Sequence, residues 1–129
     1  MYLVSVLEDQ PVIEASLGGR IDLLEMKTFA EDLEELFADR DGTPFYLLLD
    51  YSKAISFDDK TSAELDALKE KAFFFGAAKV FSVPHESTDL EMHVSARMQN
   101  VLEGREEFLM YAHQAQFAPL PVKRIARAA

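Results

Sequence analysis

The chain has 129 residues, enough for one domain of ordinary size and too few for two. Its residues are 49% hydrophobic and 28% charged, a foldable mix, and 23 Asp plus Glu against 13 Lys plus Arg leave a formal charge of −10, which would repel a phosphate backbone and sets nucleic acid aside as a partner. The absence of cysteine excludes disulfides, a thiol nucleophile and a thiolate metal site.

The start MYLVSVLEDQ meets acidic residues after only a few apolar ones, unlike a secretion signal. No apolar run approaches the roughly 20 residues of a spanning helix. The expectation is a cytoplasmic protein with no integral membrane segment.

Residues 2–7 and 12–17 are apolar-rich and separated by Glu8, Asp9, Gln10 and Pro11, which predicts a β-hairpin. Gly18 and Gly19 allow a bulged exit, and Asp22 with Glu25 three places on resembles a capping box that opens a helix. Met26, Phe29, Leu33, Leu36 and Phe37 recur at helical spacing and form its inner stripe, with carboxylates between them. After Asp41, Gly42, Thr43 and Pro44, the unbroken run Phe45, Tyr46, Leu47, Leu48 and Leu49 suits a central strand buried on both faces and closed by Asp50.

Residues 51–59 show no sustained period and are expected to form a loop at that strand's carboxyl end. A second helix follows, with Leu65, Leu68, Ala72 and Phe75 inward, Thr61 and Glu64 as its capping pair and Gly76 as its end. Residues 79–83 form a short strand stopped by Pro84. Thr88 with Glu91 caps a third helix facing inward through Leu90, Val94, Met98 and Val101, and residues 107–111 form a last strand. Because helices joining parallel strands cross over right-handedly, the order β-β-α-β-α-β-α-β predicts an α/β fold, a mixed sheet of about five strands with helices mainly on one face. A single domain over residues 1–118 would be followed by a tail, 119–129.

The run Gly19-Arg20-Ile21-Asp22 before a helix, the apolar strand ending in Asp50 and the Ser-containing loop opening a second helix resemble the STAS domain. More narrowly, they are similar to the SpoIIAA-like (STAS/SEC14-related) small bacterial proteins. The resemblance covers roughly residues 1–112 through element order and a loose Gly-x-Ile/Leu-Asp and strand-Asp pattern.

It implies a non-enzymatic regulatory or adaptor module acting by protein–protein contact, like an anti-sigma-factor antagonist. The partner would be a kinase or an anti-sigma-like regulator. In such antagonists a serine at the helix N-terminus is phosphorylated and the phosphate controls docking. Ser56 is the nearest match by position, although the family's Asp-Ser-Ser-Gly type signature is replaced here by Ile55-Ser56-Phe57-Asp58-Asp59.

A phosphate is favoured by the amide donors at a helix start and opposed by two neighbouring carboxylates. Ser56 is therefore read either as a switch or as a polar turn residue, and Asp58 or Asp59 as a permanent charge where relatives use a regulated one. The partner-binding set is Phe57, Asp58 and Asp59 with Phe73 and Phe74. The Sec14 relationship implies the alternative, a small-molecule or lipid carrier with a pocket beside the phenylalanines.

No cofactor is implied, and His85, His93 and His113 lack the spacing of metal ligands. No Gly-x-Ser-x-Gly elbow singles out a nucleophile, so no catalytic residue is assigned. Phe73, Phe74 and Phe75 cannot share one helical face, so Phe73 and Phe74 need a cover. Either the following turn or tail supplies it, or a subunit interface does, and a homodimer is expected. Every acidic residue lies within the first 107 positions, while the tail carries Lys123, Arg124 and Arg127. That basic arm would dock on its own body or on a second copy, or stay solvated.

Overall fold

In the computed structural model the described residues are 1–7, 9–55, 57–85 and 94–120. The run at the centre of the sequence becomes β3 (Phe45–Ala54), whose first five residues are all buried. Phe45, Leu47, Leu49 and Tyr51 face one side, and Tyr46 and Leu48 the other. Such two-sided burial is the mark of an interior parallel strand.

Around it stand β1 (Tyr2–Val6), β2 (Val12–Gly19), β4 (Ala77–Val83) and β5 (Glu106–Phe108), in the spatial order β1-β2-β3-β4-β5. β1 and β2 pair antiparallel and every other neighbouring pair is parallel, giving the expected mixed five-stranded sheet.

Helices α1 (Leu23–Asp39) and α2 (Asp59–Phe74) cover one face. Met26, Phe29, Leu33 and Phe37 of α1 and Leu65, Leu68 and Ala72 of α2 close a core over Ile13, Leu47 and Leu49. Each fully buried large apolar side chain contributes about 1.5–3 kcal/mol. Asp22 caps α1 as the sequence indicates, its Oδ1 accepting the Glu25 amide at 2.8 Å. The bulge lies between Ser16 and Gly18, after which pairing resumes with Gly18 opposite Lys53 and Gly19 opposite Ala54.

Several boundaries differ from the sequence pattern. β3 runs to Ala54, because the strand extended by the bulge keeps pairing with residues that carry no hydrophobic period. α2 is capped by Asp58, whose side chain accepts the Thr61 amide at 2.8 Å, and not by Thr61. Thr61 itself is buried one turn inward. The last strand is Glu106–Phe108, short because Met110 and Tyr111 turn out to solvent.

Where a third helix is expected, residues 94–96 are helical and, after a turn at Arg97, a short helix α3 (Met98–Leu102) follows that buries no residue. Met98 is exposed, and Val94 and Val101 are only half-buried, while Thr88, Leu90 and Glu91 lie outside the described residues. The opposite face of the sheet carries no α-helix from the described residues, only a single 3-10 turn, Ala112–Gln114. Val12, Tyr46, Leu48, Phe81 and Val83 are instead covered by an irregular C-terminal segment through Leu109, Ala112, Ala115, Phe117 and Leu120. The Tyr46 hydroxyl donates to the Ala118 carbonyl at 2.6 Å. No helix among the described residues is long and apolar enough to cross a membrane.

Candidate functional site

β2 and β3 end together at Gly19 and Ala54, just before α2, at the carboxyl edge where open α/β sheets present their loops. β3 leaves the sheet through Lys53 and Ala54, and the Ile55 amide donates to the Gly19 carbonyl at 2.9 Å, fixing the exit. Just before the exit, Asp50 Oδ1 accepts from the Ser52 amide at 3.0 Å and from its hydroxyl at 2.6 Å. Phe57 is half-buried on the Tyr51 ring, 6.1 Å between centroids.

Asp58 and Asp59 are exposed at the first turn of α2, and so is Ile55. Hydrogen bonds from Thr61 hold the Asp58 carboxyl below its ordinary range. Ser56 lies outside the described residues, as do His93, Lys123, Arg124 and Arg127.

Asp58→Ala is expected to leave the core intact and to speed hydrogen exchange at the Thr61 amide selectively, while exchange in α1 is unchanged. Because the folded pKa of Asp58 is depressed, the cap is present above the usual carboxylate pKa and lost as pH falls through the folded value. The same amide in the parent protein should therefore lose protection on acidification.

Phe73 and Phe74 stand at the other end of α2, about 24 Å away at 1.5 Å per residue. The sequence-derived partner set therefore forms two patches. Phe73 is half-buried under the Arg105 guanidinium, 4.2 Å above its ring, so the cover it needs comes from within the chain. Phe74 is 85% exposed, its ring edge-on to Phe75, which in turn packs on Phe37.

Two open grooves formed by the described residues lie elsewhere than beside these rings. One of about 570 Å³ runs over Tyr2, Leu3, Gly18, Arg20, Asp50 and Lys53. Another of about 770 Å³ flanks β5 between Lys79, Glu107 and Phe117.

A buried ionic cluster between α2 and the β4–β5 edge escapes sequence reasoning. Lys69, 1% exposed, donates from Nζ to the Tyr51 hydroxyl at 3.2 Å and to Glu106 Oε2 at 3.0 Å. Its ammonium lies 5.2 Å from the Tyr51 ring centroid and 5.0 Å from that of Phe108. Glu106 Oε2 also accepts from Ser82 Oγ at 2.9 Å, and Oε1 accepts from Arg97 Nε at 2.7 Å. Arg97 continues outward to Glu70 at 2.7 Å, and Asn100 joins that carboxylate at 3.0 Å.

Burial alone would push the Glu106 carboxyl up, but the Lys69 and Arg97 charges and hydrogen bonds outweigh it and hold the pKa below the ordinary value. Burial pushes the Tyr51 phenol up, and Lys69 offsets part of that. Each charge in the cluster is matched by another within it, so it joins α2, β4, β5 and the start of α3, with its inner pair Lys69–Glu106 buried and only its outer carboxylate, Glu70, reaching solvent. The signal was available in spacing: Lys69 falls four residues after Leu65 and three before Ala72, inside the apolar stripe of α2. Among the described residues no group of acidic or histidine side chains is placed to hold a metal ion.

No family model matches the chain, and no curated protein does. A crystal structure of an uncharacterized protein of the DUF3478 family from Shewanella loihica PV-4, with a SpoIIAA-like fold, matches with a TM-score of 0.61. The match has 13% sequence identity and covers 89% of this chain and 88% of that one. The chain has a SpoIIAA-like fold. In this SpoIIAA-like sheet the turn between β3 and α2 exposes Ile55, Asp58 and Asp59 and is flanked by the buried side chains Tyr51, Ala54 and Thr61.

Proposed function

We propose that the protein is a non-enzymatic regulatory or adaptor module that docks another protein through the turn between β3 and α2 and the first turn of α2. The observation that carries this reading is the pairing of an exposed apolar side chain, Ile55, with two exposed carboxylates, Asp58 and Asp59, on a turn anchored at both ends. An apolar anchor within a charged rim suits selective protein contact more than chemistry. The carboxylates select a partner with a basic rim. Ser56 lies between these features in sequence and is the residue whose phosphorylation would add charge to the same surface.

The test is affinity capture from the native cell, comparing the parent with a variant carrying Ile55→Asp and Asp59→Lys. A partner retained by the parent and lost by the variant is expected, with both proteins equally folded by circular dichroism. Equal recovery of every captured protein overturns the docking surface. An intact mass of cell-derived protein without phosphate removes the switch at Ser56 but leaves the adaptor. A small apolar ligand carried through native mass spectrometry would instead favour the carrier reading, with the groove over Leu3 and Gly18 as its site.

A further inference from the structure

The two edges of the sheet are built differently. β5 has three residues, two of them glutamates, and Glu107 pairs with Lys79 at 2.8 Å. Short charged edges are poor templates for another strand. β1 reads YLVSV, with no charge and no proline, and its register against β2 is unbroken. It therefore lacks the features that usually keep an edge from pairing.

Two hydrogen bonds fix the orientation of its peptide groups. The Gly18 amide donates to the Met1 carbonyl at 2.9 Å, and the Leu7 amide to the Val12 carbonyl at 3.0 Å. Alternation in an antiparallel pair then turns Leu3 and Ser5 toward β2 and directs the N–H and C=O groups of Tyr2, Val4 and Val6 away from the sheet. No strand of the described residues lies beyond them.

We propose that β1 is a self-association edge, pairing antiparallel with β1 of a second copy about a two-fold axis at Val4. The outward row dictates the register. Setting Val4 against Val4 and Tyr2 against Val6 engages all three outward residues of each copy, for about six inter-strand hydrogen bonds, whereas a slip of two residues leaves one outward residue of each copy unpaired and about four bonds. The arrangement is isologous, as a two-fold contact must be.

A second copy fits better than an unrelated strand because the row is self-complementary and brings no charge opposite another. It also covers side chains left in water, Leu3 at 71% and Val6 at 44% exposure. Leu3 then faces Ser5 of the second copy in the closer, non-hydrogen-bonded type of pair. The flank is acidic, since Glu25, Glu31 and Asp32 lie near the Tyr2 phenol and Asp32 accepts its hydrogen bond. Association should therefore tighten as salt is added.

The experiment is sedimentation velocity on the full chain over a concentration series at low and high salt. Dimers that grow with concentration and salt are expected, and Val4→Pro is expected to return the protein to monomer at concentrations where the parent is dimeric. The Val4 amide points out of the sheet, so proline removes no bond to β2.

If Val4→Pro fails to fold, the register is read with two single variants, Leu3→Cys and Ser5→Cys, in a chain that has no other cysteine. Opposed positions in a non-hydrogen-bonded pair are about 4.5 Å apart between Cα atoms, within disulfide reach. Mild oxidation should cross-link the mixture and neither variant alone. A monomer under every condition, a dimer dispersed by Phe74→Ser and not by Val4→Pro, or cross-linking of the single variants as strong as that of the mixture would each overturn the proposal.

Discussion

Glu106→Ala is expected to lower the free energy of unfolding by about 3–5 kcal/mol in urea denaturation near neutral pH. The substitution strands Lys69 in the interior with, among the described residues, only the Tyr51 hydroxyl to bond, and removes the acceptor used by Ser82 and by Arg97 Nε. The large effect belongs to breaking the cluster. Replacing the pair together by apolar residues, as in Glu106→Leu with Lys69→Met, should restore most of the loss, because a buried ion pair and a well-packed apolar pair of similar volume are close in energy. A double variant no more stable than Glu106→Ala would show that the pair contributes more than mutual neutralisation.

The same carboxylate makes stability depend on pH in a defined direction. Its folded pKa lies below the ordinary value of 4.5. The contribution is therefore complete above that value and is lost as pH falls through the folded pKa. The parent should lose stability on acidification below about pH 4.5 more steeply than Glu106→Gln, which has no proton to take up at that site. Parallel pH profiles for the two proteins would exclude Glu106 as the source.

Phe81→Ala is expected to cost about 3–5 kcal/mol, the range for emptying a buried aromatic site. Phe81 is 1% exposed and lies between Tyr46, 5.9 Å away, and Phe117, 5.3 Å away in an edge-on contact. It is the keystone of the face that carries no α-helix among the described residues. Its loss should therefore have a second signature, faster proteolytic cleavage within residues 109–120, where Leu109, Ala112, Ala115, Phe117 and Leu120 rest on that face. Phe37→Ala, a comparable deletion under the helices, should destabilise without singling out that segment. Equal cleavage patterns for the two variants would separate Phe81 from the C-terminal segment.

Much of this architecture is legible in the sequence because burial leaves periods. Phe45 to Leu49 announce an interior strand, the stripe from Met26 to Phe37 announces α1, and Asp22 is the cap its position suggests. What escapes the pattern depends on tertiary structure. Ser52 and Lys53 look like loop but pair as strand, because the bulge at Ser16 and Gly18 lets β2 run alongside them.

Leu120 reads as tail and Phe117 as unpatterned chain because an irregular covering segment has no period, yet both close the second, smaller hydrophobic cluster. Lys69 sits within the apolar stripe of α2, but neither composition nor period shows that a strand position, Glu106, will meet it as counter-charge. Of the site, the position at the end of β3 is legible, and so are its carboxylates. The separation of Phe73 and Phe74 from them follows from helix length alone.

The hydrogen bond from Ile55 to Gly19 and the Asp58 cap bear on how a ligand would be received. They leave two residues, 56 and 57, between one backbone clamp and the next, and the second of these is seated on Tyr51. A partner closing on this turn would find its flanks already ordered and would forfeit little conformational entropy there. Pre-organisation of that kind lets even a small footprint bind usefully, and it makes the clamps themselves determinants of affinity although neither need touch the partner.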